Sequence, residues 1–471
     1  MAYDYRSIKI EGIDVESILE CKVEARMGDH TSLRLKAILK EETEDQIIYQ
    51  LGDRASIRVY IQTKEEEKEL FNGIVTDIAV KYVANVYWLI LEAKSATYLL
   101  DITKHSRSFQ DLSMTYHQVI EELLKKYSGV DCIVNIPYEP ITTMLVQYEE
   151  TDWQFIKRIT STFNESLFPA VDKPGIKFYV GVAQMPKKLE IITYHLKKDL
   201  NTYYYVNANT LKSISEDAYC IYEVQSYQIA YLMDNITHNG KTLYIKKLTT
   251  EIRESLLVSY YDLQPKEGLS IARIYPMHLV GVAIEGEILV PQAENVKVHL
   301  RIDQSQDVAK ACWIPYSTMS ASTDGSGWYC MPEVGDTVRV YFPTKYTKDA
   351  VALSAVSIYD EPTGGEDRMQ NPDVKYLGTV HDKEMKLAPE GIRISCNGNV
   401  AVLSVGEDGK ISLYGDKSIV VVAEENLIIN AKQDINMTAL ERVEFACDKG
   451  AKFVLDQAGN IVIQGTEVKV D

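Results

Sequence analysis

From Lys417 to Gly465 the chain repeats every eight residues. Three columns of apolar or small residues emerge. The first holds Ile419, Leu427, Ile435, Val443, Ala451 and Gly459; the second, two residues on, holds Val421, Ile429, Met437, Phe445, Phe453 and Ile461. The third holds Ala423, Ala431, Ala439, Cys447, Leu455 and Ile463. Residues between the columns are mostly polar or tolerate solvent, and octads close on groups such as Glu424-Glu425, Lys432-Gln433 or Asp456-Gln457. This alternation predicts a short strand and a corner in each octad. Eight extended residues reach at most about 26 Å, whereas one coil of a single-chain solenoid takes roughly 20 residues or more. The pattern therefore predicts one face and corner of a β-prism, with three identical chains each supplying a face and the columns meeting on the axis. The alternatives are a single-chain β-solenoid or an antiparallel sheet of short hairpins. Hairpins favour Asn-Gly or Asp-Gly between strands, and neither dipeptide occurs within Lys417–Gly465.

Upstream, residues 1–104 read as a β-rich domain. Ser7–Ile10, Cys21–Ala25, Ser32–Leu39, Ala55–Gln62 and Trp88–Ala93 are strand-like, with Asn72-Gly73 as a turn signal, and predict a barrel or sandwich. Over 105–170 the period changes. Within Asp111–Tyr127, Tyr116, Val119, Ile120, Leu123, Leu124 and Tyr127 have helical spacing, and Gly129 supplies a stop. Thr151-x-x-Gln154 matches a capping box opening a second helix, whose buried face would be Trp153, Ile156, Ile159 and Phe163, core residues rather than a cofactor site. Strands return over 171–275, through Gly175–Gly181, Leu189–Tyr194, Thr202–Asn207, Tyr219–Tyr231 and Lys241–Lys247. The tyrosines there (203, 204, 205, 219, 222, 227 and 231) suit barrel walls or a subunit interface, with a binding platform as the alternative.

Residues 276–360 predict a compact barrel of five or six strands: His278–Val290, Val296–Ile302, Ala311–Tyr316, Trp328–Met331, Thr337–Phe342 and Val351–Ile358. Between the third and fifth, glycines permit tight turns and Pro332 caps a strand where no ladder N–H is needed. Residues 361–384, with two Pro, three Gly and many charges, read as a linker to a last domain at 385–471.

Composition narrows the function. A length of 471 residues allows about three or four domains, and 46% apolar content supports real cores. The net charge of −18, three times which gives about −54 for a trimer, opposes nucleic-acid binding, which needs a basic patch. Such acidity serves solubility and repulsion between like surfaces. The seven cysteines are odd in number and form no CxxC pair, which points to a reducing compartment, with Cys447 an ordinary core residue. The N-terminus MAYDYRSIKI lacks signal-peptide architecture and no apolar run approaches the ~20 residues of a membrane helix, so any membrane is expected to be met by a folded body.

Three separate segments carry a family resemblance. Val296-Lys-Val-His-Leu-Arg301, Cys312-Trp-Ile-Pro315 and Gly325-Ser-Gly-Trp-Tyr-Cys-Met-Pro-Glu-Val-Gly-Asp336 resemble the OB-fold of the VgrG family, the central spikes of type VI secretion and of related contractile phage tails and tailocins. Val146-Gln-Tyr-Glu-Glu-Thr-Asp-Trp-Gln-Phe-Ile156 is similar to that family's Y-x-E-T-D-W-x-F hub segment, and the octads resemble its C-terminal trimeric β-helix. The resemblance implies a mainly β fold. It places tube-like hub β-barrels at 1–104 and 171–275, a helical insertion at 105–170, an OB-fold at 276–360, a linker at 361–384 and a trimeric intertwined β-helix, or β-prism, at 385–471. It further implies a homotrimer docked on a hexameric tail tube protein, contacts with baseplate proteins and effector cargo, and a PAAR-type tip protein docked on Ile461, Ile463, Val468 and Val470. Such a protein would be cytoplasmic during assembly, sit in the particle baseplate, and be exported into or through the target envelope on contraction.

No catalytic, cofactor or metal site is expected. The roughly 25 residues between the barrel and the prism are too few for the ~100 of an inserted enzyme domain, and the sequence stops just after its last strand. Glu149-Glu150 and Glu424-Glu425 read as solvated charges rather than an acid/base pair. No two of the eight histidines stand at i+2 or i+4, so only a three-fold axial site at His381 comes into consideration. A trimeric adhesin binding surface glycan through the barrel, or a phage-tail cell-wall hydrolase, are the competing functions. The hub segment Tyr148–Phe155 opposes the first, and the missing domain the second.

Overall fold

In the computed structural model, residues 2–40, 48, 52, 54–210, 213–324, 326–354, 369–467 and 469 are described. The chain separates into two units, Met1–Ile358 and Tyr359–Asp471.

Six strands open the first unit: β1 (Ile8–Ile10), β2 (Val15–Arg26), β3 (Ser32–Leu39), β4 (Ser56–Gln62), β5 (Glu67–Val83) and β6 (Val86–Lys94). In β3 and β4 every second residue is buried (Leu33, Leu35, Ala37 and Leu39; Ile57, Val59 and Ile61), the period of a strand with one face on a core. Asn72-Gly73, expected at a turn, lies inside β5. A Cβ on Gly73 would stand 2.2 Å from the Lys94 carbonyl and 2.6 Å from the Phe71 ring, so this glycine permits close packing rather than a reversal. The Asn72 amide, buried, donates to the Val171 carbonyl at 3.0 Å.

The insertion comprises β7 (Lys104–Phe109), α1 (Tyr116–Leu124), β8 (Asp131–Val134), β9 (Leu145–Thr151) and α2 (Asp152–Thr160). Both helices start on a capping box. Thr115 accepts from the Gln118 N–H and Thr151 from the Gln154 N–H, while each glutamine side chain accepts from its cap's N–H.

Then come β10 (Leu167–Pro169), β11 (Lys177–Val180), β12 (Thr193–Lys198), α3 (Leu200–Ala208), β13 (Cys220–Ser226), β14 (Asn235–His238), β15 (Lys241–Arg253) and β16 (Leu256–Gln264). Thr202–Asn207, expected as a strand, is helical. Asp199 caps it, accepting from the Thr202 N–H at 3.1 Å and hydroxyl at 2.8 Å, and this local cap overrides the β preference of three tyrosines.

The two β-rich blocks are joined through one sheet. They share an eleven-stranded sheet in the order β1-β4-β5-β6-β3-β2-β15-β16-β13-β12, with β14 on β15. The joint is the antiparallel ladder of Lys22–Arg26 with Lys247–Glu251, which satisfies backbone groups that either block alone would leave on an open edge. One apolar core runs beneath both blocks, from Ile8 and Leu35 to Tyr261 and Leu263.

A five-stranded antiparallel barrel-like sheet closes the unit: β17 (Ala283–Gln292), β18 (Asn295–Leu300), β19 (Trp313–Pro315), β20 (Thr337–Tyr341) and β21 (Val351–Ser354), in the order β19-β18-β17-β20-β21. Ile284, Ile288, Val298, Leu300, Val340 and Phe342 fill its core. The expected strand Trp328–Met331 is a loop instead, pinned where the Trp328 N–H donates to the Ser320 carbonyl at 2.8 Å and the Thr318 hydroxyl donates to the Trp328 carbonyl at 2.6 Å. Gly325, and residues 355–358 of the last expected strand, lie outside the described residues.

In the second unit β22 (Lys375–Gly378), β23 (Lys383–Ala388), β24 (Gly391–Cys396), β25 (Ala401–Gly406) and β26 (Ile411–Gly415) form an antiparallel meander. The expected linker therefore already contains β22 and the start of β23; residues 361–368 of it lie outside the described residues. A second meander joins β27 (Arg442–Ala446), β28 (Lys452–Asp456) and β29 (Ile461–Gln464). Its hairpins manage without Asn-Gly or Asp-Gly. They turn on Gly450 and Gly459, both at positive φ, and the Asp456 carboxylate accepts from the Ala458 and Asn460 N–H groups at 3.0 and 2.9 Å.

Candidate assembly surfaces

The hub segment runs from β9 into α2. The strand bulges there: Arg107 pairs with Gln147 and His105 with Glu150, and Glu149 at φ +47° takes up the extra length. Glu149 stays exposed, while Glu150 turns inward and is only 5% exposed. So the expectation that both carboxylates are solvated fails for Glu150, because the bulge moves it to the buried side. Arg158, nearly two helical turns into α2, donates to Glu150 at 2.8 and 3.0 Å and to the Val146 carbonyl at 2.7 Å, and its guanidinium stacks on Phe155.

Asp152, fully buried at the first position of α2, collects the charges of the insertion. It accepts from Tyr127 at 2.7 Å and Gln147 at 3.0 Å, and pairs with Lys126 at 2.8 Å and with Arg107. Burial pushes its carboxyl up, but the hydrogen bonds from Lys126, Gln147 and Tyr127 and the Arg107 charge outweigh it and hold the group below the usual carboxylate range. The same region ties the hub to the OB sheet. Met144 and Val146 enter that sheet's core, the Ser108 N–H donates to Asp303 at 2.6 Å, and the Gln110 amide donates to the Val298 carbonyl at 3.1 Å. The acids of this segment hold a joint.

The second unit presents the other surface. Residues directly opposite in an antiparallel ladder share a face. In the first meander Leu377, Met385, Ile394, Leu403 and Leu413 form one row across the sheet, and Leu387, Ile392, Val405 and Ile411 form the next. The opposite face carries Tyr376, Lys386, Arg393, Ser404 and Ser412. In the second meander the rows are Phe445–Phe453–Ile463 and Val443–Leu455–Ile461, while Arg442, Glu444, Lys452 and Asp456 lie on the other side. Most of these apolar side chains stand exposed, Leu413 at 58% and Phe445 at 51%.

Of the residues expected in a prism core, Val443, Phe445, Phe453, Leu455, Ile461 and Ile463 thus share one face. Their alignment differs from the octad columns, since alternating strand direction sets Phe445 and Phe453 in line with Ile463 rather than Ile461. Cys447 sits exposed at the first turn. Ile419, Val421, Ala423, Leu427, Ile429, Ala431, Ile435, Met437 and Ala439 lie exposed on residues 416–441, which carry no strand in the single chain. An extended segment without a neighbouring strand has no ladder to join. Val468 and Val470 lie outside the described residues. The apolar rows of β22–β26 went unread, although Lys383–Ala388 and Ala401–Gly406 show the same period-two alternation. His381 lies on the exposed β22–β23 turn, and among the described residues no group of three or more His, Cys, Asp or Glu is placed to hold a metal.

Two family models match the chain: the phage tail baseplate hub (GPD) over residues 27–162, and the type VI secretion system/phage-baseplate injector OB domain over residues 289–356. No curated protein sequence matches it. Among solved structures it is similar to the E. coli c3393 protein, a type VI secretion component described as resembling the T4 bacteriophage tail proteins gp27 and gp5. That match has 12% identity and a TM-score of 0.51, and covers 73% of this chain and 98% of the other. It is likewise similar to a chain of the half-lidded Francisella PdpA-VgrG complex (9% identity, TM-score 0.54, 86% and 87% covered) and of the lidless complex (10%, 0.52, 86% and 97%). With a match to the baseplate hub model followed by one to the injector OB domain, on a mainly β chain, this is a baseplate hub-and-spike protein of the kind found in phage tails and type VI secretion systems.

Proposed function

We propose that three copies of the chain assemble through the second unit into a β-prism that points away from the baseplate and pierces the target envelope. The observation that carries this reading is the two-faced character of both meanders: unbroken aliphatic and aromatic rows on one side, and on the other mainly charged and hydroxylic residues with Val402, Tyr414, Val454 and Val462 among them, the apolar side standing open to solvent in the single chain. A monomer rarely exposes a contiguous apolar patch of this kind. Three such sheets, apolar faces inward, bury them against one another and leave the polar faces outside, with Ile419–Ala439 gaining partner strands from the neighbouring chains. In this reading the hub docks on a hexameric tail tube and other baseplate proteins, effectors travel with the spike, and the role is mechanical, without a catalytic step. The particle assembles in the cytoplasm and leaves it on contraction.

The purified chain is expected to be a trimer, three times 53.4 kDa by light scattering, and to leave peptidoglycan intact. A monomer at micromolar concentration would contradict the assembly, and hydrolysis abolished by one point mutation would contradict the mechanical role.

In the single chain β29 is an edge strand with the side chains of Ile461 and Ile463 exposed, an edge open to pairing. A PAAR-type tip protein docked on Ile461–Asp471 fits this edge, one per trimer. Deleting residues 461–471 is expected to abolish co-purification of such a protein while the trimer persists; capture undiminished by the deletion would remove this assignment.

A further inference from the structure

We infer that the cleft between the helical insertion and the OB sheet binds a small multivalent oxyanion of the phosphate type, which locks the joint between them. The cleft, about 210 Å³, is walled by three stretches distant in sequence: Thr142–Leu145 with the ends of α1 and α2, the connection Arg273–Pro276 between hub and OB sheet, and the loop Lys345–Lys348 before β21. No carboxylate lines it. Four cations do. One of them, Arg158, is neutralised from behind by Glu150, which leaves Arg273, Lys345 and Lys348.

These three converge on two phenol rings. Lys345 Nζ lies 4.1 Å from the centre of the Tyr275 ring and 5.4 Å from that of Tyr346; Arg273 lies 5.2 Å from the first and Lys348 5.6 Å from the second. The rings themselves meet edge to face at 5.5 Å. Among the described residues no carboxylate stands within 4.0 Å of any of the three cations, in a protein whose net charge is −18. Cation–π contacts fix where the positive groups sit but do not discharge them, so like charges face one cleft without a counter-ion. The Tyr116 hydroxyl, itself accepting from Thr142 and Thr162, completes the lining as an O–H donor alongside the cations. Clustered cations with an O–H donor and no acceptor carboxylate suit a compact oxyanion, and the volume suits an anion of phosphate or pyrophosphate size rather than a nucleotide. Because Arg273 belongs to the hub–OB connection, the lysines to the OB sheet and Tyr116 to the insertion, one bound anion would tie all three together.

The test is isothermal titration of the full-length protein with sodium pyrophosphate and with sodium phosphate, at constant ionic strength set by chloride. Saturable binding of one anion per chain is expected, weakened at least about tenfold in Lys345→Gln and in Arg273→Gln, the scale of one lost charge-assisted hydrogen bond, and unchanged in Lys9→Gln on β1. Pyrophosphate should also raise the melting temperature of the wild type more than that of either cleft variant, and Lys348→Gln replaces any variant that fails to fold. Absence of saturable binding, or equal affinity in all variants, overturns the inference. So does binding of a glutamate-rich peptide without either inorganic anion, which would make the cleft a protein-docking site. None of these failures touches the hub-and-spike reading, which rests on other residues.

Discussion

Glu150→Ala is expected to destabilise the first unit by about 3–5 kcal/mol, the cost of stripping one partner from a buried ion pair. The two side chains of the pair are 7% and 6% exposed, so the Arg158 guanidinium left behind cannot be rehydrated in place. It would keep only the Val146 carbonyl and the face of Phe155. The loss falls where β9 and α2 meet the OB core through Met144 and Val146, so loosening of the hub–OB joint should accompany it. Chemical denaturation of the full chain checks the magnitude. Replacing both partners at once, Glu150→Leu with Arg158→Met, should cost much less, because no unpaired charge remains. If the single and double variants lost equal stability, the effect would come from packing and not from the stranded charge.

The elements legible in the sequence were those whose signal is local. The Thr151 capping box, the 3.6-residue spacing from Tyr116 to Leu124 and the alternation of Ser32–Leu39 each fix a structure within one or two turns of chain, and each appears where expected. What depends on distant partners was not legible. Gly73 looked like a turn because its reason, the backbone of Lys94 pressed against it, lies twenty-one residues away. The tyrosines of Tyr203–Tyr205 suggested a strand, and one aspartate placed just before them decided for a helix. The sharing of one sheet by β2 and β15 joins residues more than two hundred positions apart, and neither strand's pattern names its neighbour. At the hub segment the residue types pointed to the right place, but the bulge that buries Glu150 and leaves Glu149 outside is a property of the ladder with β7. In the second unit the alternation was legible and the strand order was not: period two says which residues share a face, and says nothing of which strand runs beside which.

Phe445→Asp is expected to abolish the trimer, and the single chain makes this outcome diagnostic. Phe445 lies across from Phe453, ring centres 6.3 Å apart, and is 51% exposed. In a monomer an aspartate there would face water, and a surface substitution of this kind changes stability by about 0.5 kcal/mol or less. In the proposed prism three copies of the face close on one another, and the substitution brings three carboxylates together in a space without water or counter-charge. Each buried, unpaired charge costs several kcal/mol even after relaxation, so the total is of order 10 kcal/mol or more per trimer, comparable to the whole stability of a typical domain. Glu444→Gln, one residue earlier and on the charged face beside Arg442 and Lys452, is expected to leave assembly intact. Size-exclusion chromatography with light scattering distinguishes the two. A Phe445→Asp protein that stays trimeric and melts like the wild type would mean that the row Phe445–Phe453–Ile463 faces solvent in the assembled spike, and the prism would then have to be built on the opposite side of the sheet.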